Sequence, residues 1–98
     1  MISFEEVKTY NAKIKFSFLG TIDGFGGLWW QIGFEYEGGV AYTEKVQLND
    51  TARIKEILNV LELRNWEELP RKYARIKIRD KVVCSFGNVI ENKWVVIA

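Results

Sequence analysis

The segment from Trp66 to Asp80, W-E-E-L-P-R-K-Y-A-R-I-K-I-R-D, constrains the fold more than any other part of the chain. Its proline, the single one in the sequence, ends a short turn and is followed by an alternation of polar and apolar residues. Since successive side chains of a β-strand point to opposite faces, this alternation predicts a strand with one apolar and one cationic face. The positions on the cationic side are Arg71, Tyr73, Arg75, Lys77, Arg79 and Lys81.

Charge is distributed unevenly along the chain. Residues 71–81 hold six of the 14 Lys and Arg residues and one acid, whereas the net charge of the whole chain is +1. Residues 1–70 carry seven basic and eleven acidic residues. A cationic strand in a nearly neutral chain predicts a local surface that binds something anionic.

Length and composition indicate a small globular protein. With 98 residues the chain is long enough for one domain, which we expect to span residues 1–98. It has 4 Trp, 4 Tyr and 6 Phe, more aromatic residues than a core of this size needs, so some of them are expected to line a site or an interface. No apolar run approaches the roughly 18 residues of a membrane helix. The N-terminus lacks the pattern of a signal peptide. We therefore expect a cytoplasmic protein without membrane contact.

The sequence contains no histidine and a single cysteine, Cys84. A Cys/His metal site is thereby excluded, and Cys84 has no partner for a disulfide within the chain. The commonest general base and every Ser-His or Cys-His nucleophile pair are also missing. We predict a protein that is not an enzyme and has no metal or cofactor.

The N-terminal part of the chain predicts strands connected by turns. Residues 1–10 are expected to form either a loose arm or a first short strand. Residues 13–18 alternate in polarity, which predicts a half-buried strand with Ile14, Phe16 and Phe18 together on one face.

The strongest strand pattern spans residues 28–37, where Trp29 lies on the face opposite the apolar one. Residues 20–27 contain four glycines and predict a turn with Phe25 at its tip. A pair of glycines after the strand predicts a hairpin into residues 40–48.

One main helix is predicted after residue 51, because apolar residues recur there at the i, i+3, i+4, i+7 spacing. Asn65 and Glu68 form the pattern of a capping box for a further short turn. Strands are predicted again at residues 82–86 and 93–97. The element order is β-β-β-α-β-β-β, which indicates an α+β protein with an antiparallel sheet or partial barrel of about six strands around one helix.

Candidate binding residues follow from the cationic strand. Arg75 and Arg79 lie on either side of Lys77, a spacing at which two guanidinium groups can hold the phosphates of a small ligand. The alternative is a solvated strand face whose cations pair with glutamates of a neighbouring strand, such as Glu35.

Three further residues are candidates for ligand contact. Trp29 is expected to stack on a base or to pack in a dimer, or else to lie in a sheet that is covered on both sides. Phe25, at its loop tip, is a second candidate for stacking on the base. Asn88, which follows a glycine, is a candidate for binding ribose hydroxyls, although turn chemistry explains it equally well. Cys84 alternates with Val82 and Phe86 and is expected to fill the core.

Two runs carry a resemblance to a family of small phage and virus proteins: I-K-E-I-L-N-V-L-E-L-R-N-W-E-E-L-P-R-K-Y-A-R-I-K at residues 54–77 and F-G-N-V-I-E-N-K-W at residues 86–94. The family pattern is a helix ending in W-E-x-L-x-G-K-x-x-R, followed by G-H-x-x-x-x-K-W. The chain departs from it beside Pro70, where a glycine is usual, and at Asn88, where histidine is usual.

The pattern looks like that of the Thoeris anti-defence proteins, which phages make to sequester cyclic ADP-ribose-type signals without degrading them. The resemblance implies a non-enzymatic viral protein that binds a nucleotide between the subunits of an oligomer, with Arg75 at the position of the motif arginine.

The first functional hypothesis is therefore a protein that sequesters a small anionic, cyclic nucleotide. In this hypothesis aromatic rings hold the base and Arg75 and Arg79 hold the phosphates. The alternative from the order of elements is an OB-like binder of single-stranded nucleic acid, which pairs a basic groove with stacking aromatics. A viral inhibitor that binds a host protein through the same surfaces is a third possibility.

The C-terminal segment predicts self-association. Residues 94–97 are apolar on both faces, which an exposed edge strand tolerates poorly. One helix shields one face of a sheet, so a homodimer or higher homo-oligomer is expected to cover the other, with Trp29 or Trp94 near the symmetry axis.

Overall fold

The computed structural model describes residues 7–97, which form one α-helix, one short 3₁₀ helix and seven strands. The strands are β1 (Lys8–Ile22), β2 (Phe25–Tyr36), β3 (Gly39–Tyr42), β4 (Val46–Leu48), β5 (Tyr73–Arg79), β6 (Val82–Gly87) and β7 (Trp94–Val96). The helix α1 spans Ala52–Leu61, and the 3₁₀ helix spans Trp66–Glu68. The predicted α+β class with one main helix is confirmed. The strand predicted at residues 13–18 is part of the longer β1, which begins at Lys8. Residues 1–6 of the expected arm or short strand lie outside the described part.

The sheet is mixed, so the prediction of a purely antiparallel sheet of about six strands is wrong. Antiparallel pairs join β1 to β2, β2 to β3, β1 to β5 and β5 to β6. A parallel contact of Tyr42 with Val82 then joins β3 to β6, and the pairing path β1-β2-β3-β6-β5 returns to β1. Parallel strands need a long crossover, and here the segment that contains α1 and β5 supplies it. β4 pairs with β2, and β7 pairs with β6.

Strand β1 takes part in two pairings and is irregular between them. Its first half pairs with β5 as far as Lys13, and from Lys13 onward it pairs with β2. The register shifts between Ile14 and Phe16, as at a β-bulge. A shift of one residue exchanges the two faces of a strand, so Ile14 lies in the core while Phe16 and Phe18 point outward. The prediction that these three residues share one face is therefore wrong.

The core lies between the inner faces of the strands and α1. Trp30, Ile32 and Phe34 of β2 are fully buried, and Ile57 and Leu61 of the helix pack into the same cluster. The ring centroid of Phe86 is 6.4 Å from that of Trp30 and 5.6 Å from that of Phe34. Among residues 7–97, no helix is long and apolar enough to cross a membrane.

The connections carry several residues with positive φ. Glu62 ends α1 at φ 57, and the backbone N–H of Leu63 donates to the Leu58 carbonyl as in a Schellman motif. The tight turn between β5 and β6 has φ 51 at Asp80 and 65 at Lys81, the signs of a type I′ hairpin. The predicted capping box of Asn65 and Glu68 is confirmed, with the Asn65 N–H donating to Glu68 Oε1 at 3.2 Å.

Candidate functional site

The predicted alternation of β5 is present in the structure. Ala74 and Ile76 are fully buried, while Tyr73, Arg75, Lys77 and Arg79 point away from the core. We call the outward residues Tyr73, Arg75, Lys77 and Arg79 the cationic face. The antiparallel pairing of β5 with β1 places this face beside the first half of β1, where Lys13 is opposite Tyr73 and Asn11 is opposite Arg75.

Trp94 organises the centre of the cationic face. Its ring lies next to Gly87, where the Cβ of any other residue would be 2.8 Å from the indole. Arg75 Cζ is 4.8 Å and Lys77 Nζ is 4.2 Å from the centroid of the Trp94 ring. Cation–π contacts of this kind hold both cations over one indole.

Arg75 also supports the loop between β6 and β7. Its Nε donates to the Asn88 carbonyl at 2.7 Å, and its Nη2 donates to the Glu91 carbonyl at 2.8 Å. A guanidinium has five N–H groups, so these two bonds leave donors on Nη1 for another acceptor. Arg75 is therefore fixed in position without being fully occupied.

Asn88 is buried and its carboxamide bonds to the protein's own backbone. Nδ2 donates to the Val60 carbonyl of α1 at 2.9 Å, and Oδ1 accepts from the N–H groups of Ile90 and Glu91 at 2.9 and 3.0 Å. The side chain thus joins the β6–β7 loop to the helix. Turn chemistry, the alternative considered for this residue, accounts for these contacts.

The cations of β5 form no ion pair with a carboxylate of residues 7–97. The two ion pairs found there are Arg53 with Glu56 at 2.8 Å and Lys93 with Glu91 at 2.7 Å. The hydrogen bond from Lys93 to the Glu91 carboxylate raises the pKa of Lys93. Cross-strand pairing with glutamates does not explain the cationic face.

A second surface lies on the outer side of β1, β2 and β3. Five aromatic side chains point outward there, and we call them the outward aromatic face: Phe16, Phe18, Phe25, Trp29 and Tyr42. The ring centroids of Phe16 and Tyr42 are 5.5 Å apart, and those of Phe25 and Trp29 are 5.9 Å apart. Phe25 is 64% and Tyr42 is 47% exposed, so both rings are open to a ligand.

Glycines give these rings room to lie against the sheet. A Cβ at Gly33 would be 2.6 Å from Cδ1 of Phe16, and a Cβ at Gly20 would be 3.4 Å from the Phe18 ring. The Trp29 indole is held by its Nε1, which donates to the Gly26 carbonyl at 3.0 Å. The surface is therefore a set of aromatic rings fixed on a rigid sheet.

The residues predicted as ligand contacts lie on two surfaces, and Arg79 is apart from the others at the end of the cationic face. Phe25 and Trp29 contact each other on the outward aromatic face, and Arg75 contacts Asn88 on the cationic face. Arg79 lies at the end of β5 and lines a hollow with Glu44 and Asp80. The sequence prediction missed Phe16, Phe18 and Tyr42. Gly33, at an outward position of β2, was the available signal for Phe16 and Tyr42, which both lie opposite it.

Lys13 connects the two surfaces. It is opposite Glu35 of β2 in one register and opposite Tyr73 of β5 in the other. Its Nζ is 5.7 Å from the centroid of the Tyr73 ring. The outer side of β1 therefore runs from the outward aromatic face to the cationic face.

A cleft of about 400 Å³ lies between the end of α1, the start of β5 and the β6–β7 loop. Arg71 and Lys72 supply cations to it and Glu62 supplies one carboxylate, while Tyr73, Val89 and Ile90 supply exposed apolar surface. Within the described part of the chain, no group of three or more His, Cys, Asp or Glu residues is placed to hold a metal ion. Cys84 is buried, with its Sγ 3.4 Å from the Lys77 carbonyl.

The fold and these surfaces define a small α+β protein with one helix and a mixed sheet. No protein-family model, curated protein or solved structure matches the chain.

Proposed function

We propose that this protein is a non-enzymatic binder of single-stranded nucleic acid and that the bases stack on the outward aromatic face. The observation that carries the proposal is the group of five aromatic rings on one outer surface, two of them at least 47% exposed. Every base has a π-face, so aromatic platforms of this kind bind single strands with little sequence preference.

The order of strand pairing supports the same proposal. The path β1-β2-β3-β6-β5 returns to β1 through one parallel residue pair, Tyr42 with Val82, and α1 follows β3 and β4 and precedes β5. This order resembles that of an OB-fold, to which the short strands β4 and β7 are additions. OB-folds bind oligonucleotides on the outer face of their second and third strands. In this chain the corresponding strands, β2 and β3, carry Trp29 and Tyr42.

Fluorescence anisotropy with labelled oligo-dT and oligo-rU tests the proposal. Stacking contributes about 1–3 kcal/mol per base, so Tyr42→Ala is expected to weaken binding roughly 5- to 150-fold. The matched control is Ile90→Ala, which removes a side chain that is 90% exposed and lies off the aromatic face. Absence of binding by the wild-type protein at low salt, or equal effects of the two substitutions, would overturn the proposal.

Sequestration of a small anionic, cyclic nucleotide is the second candidate, and the cleft beside Arg71 and Lys72 favours it. The cleft combines two cations with the ring of Tyr73, which suits a ligand that has a phosphate and a base. The resemblance to phage anti-defence proteins gives this candidate its biological setting.

Isothermal titration with cyclic ADP-ribose isomers and cyclic oligonucleotides tests the second candidate. Binding is expected without turnover, so chromatography should recover the ligand intact. Lys72→Ala is expected to weaken this binding, whereas Tyr42→Ala is expected to leave it unchanged. Hydrolysed ligand, or no heat of binding with any of these nucleotides, would contradict sequestration.

A further inference from the structure

We infer that Lys13, Arg75 and Lys77 form a phosphate track that carries a bound single strand from the outward aromatic face onto the cationic face. The inference rests on the proposed function and adds to it the residues that hold the backbone and the direction in which the strand leaves the aromatic rings. Arg79 marks the far end of the track, because Glu44 and Asp80 lie beside it.

The spacing of the cations suits an extended nucleic-acid backbone. Alternate residues of a β-strand are about 6.7 Å apart, and an extended single strand places successive phosphates at a similar interval. Arg75 and Lys77 are alternate residues on the outer side of β5. Each of them can therefore contact a different phosphate of one strand.

The two cations are already held in position before a ligand arrives. Arg75 Cζ and Lys77 Nζ lie 4.8 and 4.2 Å from the Trp94 ring centroid, and the loop carbonyls fix the Arg75 guanidinium further. Ordering long side chains in advance removes part of the entropy cost of binding.

The path between the two surfaces is continuous along β1. Phe16 is opposite Gly33 on the aromatic side, and Lys13, three residues earlier, is opposite Tyr73 on the cationic side. Tyr73 is 61% exposed, so its ring can accept a further base at the crossing point. The acid opposite Lys13 is Glu35, and these two residues form no ion pair within residues 7–97.

The salt dependence of oligo-dT binding tests the track. For single strands the slope of log K against log salt is negative, and its magnitude falls by about 0.7 for each phosphate contact that is lost. We expect Lys13→Gln and Lys77→Gln each to reduce the slope by about that amount and to weaken binding at low salt. The control is Lys55→Gln, which removes an exposed cation from α1 and is expected to leave the slope unchanged.

Two controls separate a lost phosphate contact from a loss of stability or of the aromatic site. Lys77 contacts Trp94, so Lys77→Gln can lower the thermal midpoint. In that case Lys13→Gln decides the test, because it leaves the contact with Trp94 intact. If the wild-type protein binds oligo-dT and Tyr42→Ala weakens binding, but both lysine variants keep the wild-type slope, the track is overturned and the aromatic site stands. An equal fall in the magnitude of the slope for Lys55→Gln and for the two track variants also overturns the track. Absence of all binding by the wild-type protein overturns both proposals.

Discussion

Residues with positive φ place local strain at the ends of elements. Glu62 adopts φ 57 after the last turn of α1, a conformation that costs an L-residue with a Cβ about 1–2 kcal/mol and that glycine adopts freely. A glycine at this position would avoid that cost, but part of the gain in stability would be offset by the greater entropy of glycine in the unfolded chain.

We therefore expect Glu62→Gly to raise the free energy of unfolding by about 0.5–1 kcal/mol. Urea denaturation measures the change. The control is Glu62→Ala, which removes the same charge but keeps the Cβ and is expected to give no such gain. If the two variants are equally stable, strain at this position is not the cause.

Asn88 is expected to be the most sensitive polar residue of the fold. Its carboxamide makes three hydrogen bonds in a buried place between α1 and the β6–β7 loop. Asn88→Ala leaves the partner groups without hydrogen bonds, so the free energy of unfolding should fall by about 2–4 kcal/mol. The control is Asn59→Ala on the exposed side of α1, expected to be near neutral. Equal denaturation midpoints for the two variants would contradict this role.

At the scale of elements, the bulge in β1 shows where sequence periodicity stops being informative. The alternation of residues 13–18 is regular in the sequence, but the register shift between Ile14 and Phe16 moves Phe16 to the outer surface. Nothing local in the sequence marks the extra residue, because the bulge serves the change of partner from β5 to β2.

Substitution of Gly33 tests whether the Phe16 ring packs on the outer side of β2. A Cβ at Gly33 would displace the Phe16 ring, so Gly33→Ala should lower the free energy of unfolding by about 1–3 kcal/mol. The same substitution should weaken oligo-dT binding, because it lifts one ring from the aromatic surface. Gly26→Ala is the matched control for stability, since no atom lies within 4 Å of its added Cβ. An unchanged thermal midpoint for Gly33→Ala would show that Phe16 is not packed as described.

The sequence was sufficient to predict the elements whose signals are local. The helix, the capping box at Asn65 and the outward side of β5 follow from spacing within a few residues. The contact of Trp94 with Arg75 could not be predicted, because it depends on the pairing of β6 with β7. The parallel contact of β3 with β6 could not be predicted either, because it depends on how strands distant in the sequence pair with one another.

At the scale of the whole molecule, the structure changes the reasoning behind the predicted homodimer. The apolar C-terminal segment is partly covered within the protomer: Val95 lies in the core and Trp94 lies against two cations. Arg53 also donates to the Val96 carbonyl at 3.2 Å. Self-association remains a prediction that light scattering at high micromolar concentration measures, and a monomer at that concentration would contradict it.

The central claim is that a single strand lies on the outward aromatic face. Titration of isotope-labelled protein with oligo-dT, followed by NMR chemical-shift mapping, tests this claim most directly. We predict that the largest shifts occur at residues 16–18, 25–33 and 40–43, with smaller shifts at Lys13 and Lys77. Shifts confined to Arg71, Lys72 and Val89 in the cleft, or no shifts at all, would contradict the claim.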